Sequence, residues 1–216
     1  FFKIMDMFPN VLRPNIMNIF NYLKKCKMKN YGKVKIMIYT NNTGCKMWVH
    51  RIKSYIEKKI DYKLFDRVIC AWKYDGKVLE KNRTGYEKKY MDLLNCGQLK
   101  KTDKILFLDD SLYEKMINPN VTYLHVTPYI YRYNDKSMVN TYIKKSDMNL
   151  DHALKLTKIV EHKKTNCKIN NNDLLFKLRG KKIERHVRNF MEKTSKQTKQ
   201  KKLKKNKTRK RKINYY

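Results

Sequence analysis

Residues 105–110 read Ile-Leu-Phe-Leu-Asp-Asp. Four apolar residues in an unbroken run, closed abruptly by two carboxylates, are the pattern of a short buried strand ending at a surface. Residues 34–40, Val-Lys-Ile-Met-Ile-Tyr-Thr, have the same form and stop at Asn41 and Asn42. Residues 64–72 and 121–126 are two further strand candidates, the last following the turn-forming Asn118-Pro119-Asn120. Helical patterns separate these runs. After Pro14, the residues Ile16, Ile19, Phe20 and Leu23 recur at i, i+3, i+4 and i+7, and this helix is expected to end near residues 30–32. Trp48, Ile52, Tyr55 and Ile56 share one face of a second helix that Thr43 can cap. Residues 76–85 are polar and turn-rich, and a short helix is expected over 86–94. Short apolar strands alternating with helices predict an α/β fold whose mostly parallel sheet carries helices on both faces. Beyond Pro128 the pattern weakens to two helices, over 150–160 and 174–191.

In open α/β sheets the ligand site lies at the carboxyl ends of the strands. Thr40 stands at one such end, and Asp109 with Asp110 at another. Paired carboxylates suit a hard cation such as Mg²⁺, which takes oxygen ligands and keeps waters and substrate phosphate in its shell. A strand-end hydroxyl can donate to a phosphoryl oxygen. Each feature alone has an ordinary structural explanation: a turn residue for Thr40, a solvated cap for the aspartates.

Taken together, an apolar strand ending in Thr, then a lysine, then an apolar strand ending in Asp-Asp resembles motifs two, three and four of the haloacid dehalogenase superfamily. Leu12-Arg13-Pro14, Tyr39-Thr40, residues 65–70, residues 88–94 (KKYMDLL) and residues 118–128 (NPNVTYLHVTP) resemble the NLI-interacting-factor, or C-terminal-domain phosphatase, branch. The likeness covers roughly residues 8–130 and is nearest to divergent copies carried by large DNA viruses. It implies a Rossmann-like sheet and Mg²⁺-dependent hydrolysis of phosphoserine or phosphothreonine in a protein substrate, through an aspartyl-phosphate. By resemblance, Thr40 would bind the transferring phosphoryl group. Lys88, or its neighbour Lys89, would neutralise charge on the phosphoaspartate. Asp110 would help hold Mg²⁺, and Asp109 would orient the lysine or join the metal shell. These roles agree with the chemistry, since phosphoryl transfer depends on positioning and on cations aimed at the equatorial oxygens.

One part of the family pattern is missing. These enzymes open with a strand followed by Asp-x-Asp-x-Thr or Val, whose aspartates act as nucleophile and general acid/base. Nothing in this sequence matches it; Asp6 has Phe8 at the +2 position. The family's first strand lies between the strands that end at Thr40 and at Asp109, so the expected sheet lacks its central member. The expectation is a nucleophile encoded upstream, with a fold-retaining, non-catalytic binding protein as the alternative.

The remaining features concern charge and compartment. The formal net charge is +33, from 52 Lys and Arg against 19 Asp and Glu. Twelve of the cations lie in residues 193–212, a stretch without one acid. An AT-rich coding sequence would also raise Lys, Asn, Ile and Tyr together, so a basic balance by itself names no partner. The organisation expected is a phosphatase-like domain over 1–160, a basic helical extension over 161–192, and a disordered basic tail over 193–216. The run Lys207, Arg209, Lys210, Arg211 and Lys212 suits nucleic-acid phosphates or an import receptor. Five cysteines, with no Cys-x-x-Cys pair, argue against a disulfide framework or a structural zinc, and for reduced thiols inside a cell, nucleus included. The five histidines are scattered without metal-ligand spacing, and no glycine-rich phosphate loop occurs. No apolar run reaches the length of a membrane span.

Overall fold

A computed structural model describes residues 1–30, 32–43, 46–130, 133–146, 149–161 and 172–213. The chain groups into two compact units, each made of separated stretches: Phe1–Ile16 with Pro128–Gly180, and Met17–Thr127 with Lys181–Tyr216.

The larger unit carries the strands. Helix α2 (Ile16–Lys29) buries Ile19, and its Phe20 ring packs edge-on against Phe65. Its last turn is basic, which suits the negative end of a helix. Two of its lysines also reach across: Lys24 Nζ donates to the Ile60 carbonyl at 2.8 Å and Lys27 Nζ to the Leu64 carbonyl at 2.7 Å. They thereby fix the turn that leaves α3 (Lys46–Ile60). Strand β1 (Met37–Tyr39) pairs in parallel with β2 (Arg67–Ile69), Ile38 opposite Val68. A hairpin follows, β3 (Lys73–Tyr74) and β4 (Lys77–Val78), turning through Asp75 and Gly76 at φ 47° and 70°. Asp-Gly is the sequence that accepts a two-residue turn with both φ values positive. Helix α4 (Tyr90–Gly97) is buried around much of its girth, and it ends where Gln98 turns left-handed at φ 49°.

Strand β5 (Ile105–Asp109) pairs in parallel with β6 (Val121–His125), Phe107 opposite Tyr123. Their short crossover is plugged by Met116, which is fully buried. One core joins both parallel pairs: Ile69, Leu93, Leu94, Cys96, Phe107 and Met116, flanked by Met37, Tyr39 and Tyr123. The protein is thus mixed α/β with parallel strand pairs. The described strands form three two-stranded sheets, however, and not one continuous sheet. β1 is hydrogen-bonded on its β2 side and β5 on its β6 side, and no described strand joins β1 to β5.

The smaller unit is helical. Helix α1 (Phe2–Met7) buries Met5, and Phe8 stacks edge-on with Tyr133 at 5.1 Å. Neither α1 nor α5 (Asp135–Lys145) was foreseen, whereas α6 (Leu150–Glu161) follows the expected pattern. Asparagines start α5, α6 and the long helix that begins at Asp173: Asn134, Asn149 and Asn172 accept from the backbone N–H of Ser137, His152 and Leu175.

Helix α7 (Asp173–Ile213) corrects the sequence reading. It was expected to stop near residue 191 and to give way to a structureless tail, but the helix continues to Ile213. After Gly180 this run contains no Gly or Pro, and Lys, Arg and Gln are good helix formers. The absence of an apolar face therefore does not stop local propensity from extending the helix. Among the residues expected to share one face of α3, Trp48 stands apart. It is 48% exposed, while Tyr55, Ile56 and Ile60 make the buried stripe. Of the cysteines, Cys26, Cys70 and Cys96 are free thiols, and Cys45 and Cys167 lie outside the described residues. The Cys96 thiol is pushed up to about 11, chiefly by burial, which makes it a core residue and not a nucleophile.

Candidate functional site

The backbone immediately before α4 decides which lysine enters the fold. Lys89 is extended, with φ −126° and ψ 145°, so Lys88 and Lys89 project to opposite sides. Lys88 goes inward. Its side chain is 9% exposed, and Nζ lies 2.5 Å from Oδ2 of Asp109, itself 8% exposed. Three rings surround the same ammonium, with centroids at 5.4 Å (Tyr113), 5.6 Å (Tyr39) and 5.9 Å (Phe107). A desolvated cation over ring faces is held by their quadrupoles as well as by the carboxylate. Lys89 goes outward: Nζ donates to Oγ1 of Thr84 at 2.8 Å. It lines an open groove of about 490 Å³ with Met91, Lys101, Lys115 and Ile117, and Asp109 takes no part in that groove.

Asp109 uses both carboxylate oxygens. Oδ2 takes Lys88, and Oδ1 accepts the Ser111 N–H at 2.9 Å, which bends the chain as it leaves β5. The bend is braced from β6, where the Tyr123 hydroxyl donates to the Ser111 carbonyl at 2.7 Å and accepts the Tyr113 N–H at 3.2 Å. Burial raises the Tyr123 phenol above its ordinary value, so it stays a neutral donor. Asp110 is exposed; its carbonyl lies 3.1 Å from Nε2 of His125.

On the other strand pair, Thr40 extends the β1–β2 ladder by donating its N–H to the Ile69 carbonyl at 3.0 Å. Its Oγ1 accepts the Asn42 N–H at 3.0 Å, a local turn that stops the strand. The residue that ties this end together is Arg83, to which the sequence reading assigned nothing. Its side chain is buried (3% of the residue exposed) and donates four hydrogen bonds: to the carbonyls of Thr40 (3.1 Å), Cys70 (2.8 Å) and Tyr86 (2.8 Å), and to Oδ1 of Asn41 (2.7 Å). The guanidinium also lies over the Tyr39 ring at 4.8 Å. Asn41 then donates through Nδ2 to the Tyr113 hydroxyl at 3.2 Å. Thr40, Asn41, Arg83, Tyr113, Lys88 and Asp109 thereby form one connected set at the ends of β1 and β5.

Burial pushes the Tyr39 phenol up to about 12, the Arg83 charge opposing. Asp92, almost wholly buried, is the second carboxylate of the region and accepts from the Thr84 N–H and hydroxyl. Glu80, also buried, pairs with Arg67 at 3.1 Å, so each buried carboxylate of the region has a hydrogen-bond donor, as desolvation requires.

The carboxylates do not by themselves fit Mg²⁺. Asp109 is committed to Lys88 and Ser111, which leaves the exposed Asp110 as the other carboxylate at this strand end. Among the described residues no group of three His, Cys, Asp or Glu side chains is placed to share a metal ion. Asp6, in α1, belongs to the other unit. Among the described residues no helix is long and apolar enough to cross a membrane. Arg83 was missed because an Asn-Arg-Thr triplet inside a polar, turn-rich stretch carries no local sign of burial. No protein-family model, curated protein or solved structure matches the chain.

Proposed function

We propose that the set around Lys88 is the phosphoryl-binding part of a phosphomonoester hydrolase site of haloacid-dehalogenase type. Its substrate class would be phosphoserine or phosphothreonine in a protein, and its nucleophilic aspartate would come from a segment outside this sequence. The observation that carries the reading is Lys88, a lysine sequestered among three rings and paired with the strand-end carboxylate Asp109. A buried ion pair is rarely more stable than apolar side chains of similar volume, so a buried lysine facing a strand-end carboxylate is a candidate for function. Supporting it, β1 and β5 share a core, with the Tyr39 and Phe107 rings 6.3 Å apart, yet no described strand pairs with both. A strand entering there would end beside Lys88 and Thr40. In this reading Asp110 contributes to Mg²⁺ binding together with carboxylates from that segment, and Arg83 holds the Thr40 and Asn41 backbone in place.

The test has two parts. Sequence upstream of Phe1 in the gene should encode an apolar strand ending in Asp-x-Asp-x-Thr or Val. In the protein carrying it, Lys88→Ala should slow hydrolysis of a small phosphate ester by about a hundredfold, the usual loss for one cation or donor at a developing oxyanion. Lys89→Ala should leave the rate unchanged. Equal rates for both variants would remove the reading. An upstream strand without aspartates would favour a second one, a non-catalytic binding protein of the same fold.

A further inference from the structure

The distal part of α7 has no role in the strand-end site. Its proximal part is anchored: Phe176, Ile183 and Val187 are buried, and Arg188 lies over the Tyr22 ring at 4.1 Å while pairing with Glu184. From residue 193 to residue 213 the composition changes. Twelve Lys or Arg occur there, no acid, no aromatic residue, and two apolar residues, Leu203 and Ile213. The helix nonetheless continues through this stretch. At 1.5 Å rise per residue it spans roughly 30 Å, or about one cation every 2.5 Å. Duplex DNA presents one phosphate per about 1.7 Å of axis. The two linear charge densities are of the same order.

We infer that residues 193–213 form a helical docking element for the phosphate backbone of nucleic-acid duplexes. The composition separates this partner from its rivals. A helix lying on an anionic membrane needs an apolar face to insert, and two apolar residues in this stretch do not make one. Single strands are held by stacking on aromatic side chains, and none is present between 193 and 213. A protein partner would be gripped through buried aromatic or aliphatic anchors, which are equally lacking. What remains is a dense row of cations, suited to displacing counterions without reading bases. Helical spacing adds a second consequence. Lys201 and Lys205, Lys205 and Arg209, and Lys207 and Arg211 are like charges four residues apart, and such pairs oppose the helix until an anion neutralises them. Duplex binding and helix content are therefore coupled.

The inference does not depend on the phosphatase reading and is tested on the full chain. Binding of a fluorescent duplex of about 20 base pairs is followed by anisotropy across a chloride titration. The comparison variant combines Lys207→Gln, Arg209→Gln, Lys210→Gln, Arg211→Gln and Lys212→Gln, and near-ultraviolet circular dichroism checks that the fold is kept. The slope of log affinity against log salt should become shallower by about 0.9 for each phosphate contact removed, up to about 4.5. At fixed moderate salt the variant should bind at least about tenfold more weakly. Adding duplex should raise the helical signal of the parent protein more than that of the variant. An unchanged salt slope would place the footprint elsewhere on this basic chain and overturn the inference. So would tighter binding to anionic lipid vesicles than to duplex in the same buffer, or a helical signal indifferent to duplex.

Discussion

Replacing Lys88 by methionine keeps an unbranched side chain among the three rings but leaves Oδ2 of Asp109 without its cation. Both side chains are more than nine-tenths buried, so water cannot take over the lost contact. Removing one member of a buried pair costs about 3–5 kcal/mol, mostly the penalty of stranding the other charge. Asp109→Asn strands the ammonium instead, but the rings of Tyr39, Phe107 and Tyr113 still face it. Ring contacts of that kind return roughly 1–2 kcal/mol at a desolvated site, so this variant should lose only about 2–3 kcal/mol. The double variant buries no charge at this position and should fall within about 1.5 kcal/mol of the parent, which makes the two substitutions strongly non-additive. Urea unfolding followed by the fluorescence of Trp48 and Trp72 measures all four proteins. Additivity within about 0.5 kcal/mol would mean that Lys88 and Asp109 do not act as a pair, and the argument for a sequestered lysine would fail with it.

Two further outcomes follow from the packing. Arg83→Lys keeps the charge but not the fork: one ammonium cannot reach four acceptors on three loops. A loss of about 2–4 kcal/mol is expected by urea denaturation, with amide shifts at Thr40 and Asn41; a loss below about 0.5 kcal/mol would show that the clamp is dispensable. Gly180→Ala should destabilise although alanine is the better helix former, because the added Cβ would lie 2.2 Å from the Pro14 carbonyl oxygen, a backbone atom. A loss of roughly 1–3 kcal/mol is expected by thermal unfolding, and a gain would contradict the close approach of α7 to that turn.

The parallel strands were legible because each lies in a short stretch rich in β-branched, aromatic or apolar residues, and so were the helices with a strong repeat. Their lengths were not: residues 34–40 yield hydrogen-bonded strand only over Met37–Tyr39. Pairing depends on neighbours that no local pattern contains. Helices α1 and α5 escaped notice because neither carries a long apolar repeat: α1 has six residues and α5 eleven, polar ones among them. The strand-end residues Thr40 and Asp109 were found by position, and the choice between Lys88 and Lys89 was left open because it turns on one extended residue. Arg83 was illegible for a different reason. Its partners are mainly backbone carbonyls, and carbonyls leave no trace in a sequence.

The interleaving of the two units bears on how the chain is made. Residues 17–127 form an uninterrupted stretch with both parallel strand pairs and their shared core. They can condense once they have left the ribosome. The first sixteen residues cannot, because their partners come later: Asn10 binds Tyr133, 123 positions away, and Asn15 binds Gly180, 165 positions away. At roughly 5–20 residues per second, that delay is on the order of ten to thirty seconds for the Asn15 contact. Through it Met5 and Phe8, buried in the finished protein, stand exposed on a nascent chain. Phe8 is thus enclosed only after Tyr133 has emerged, and that interval is when a chaperone would be needed.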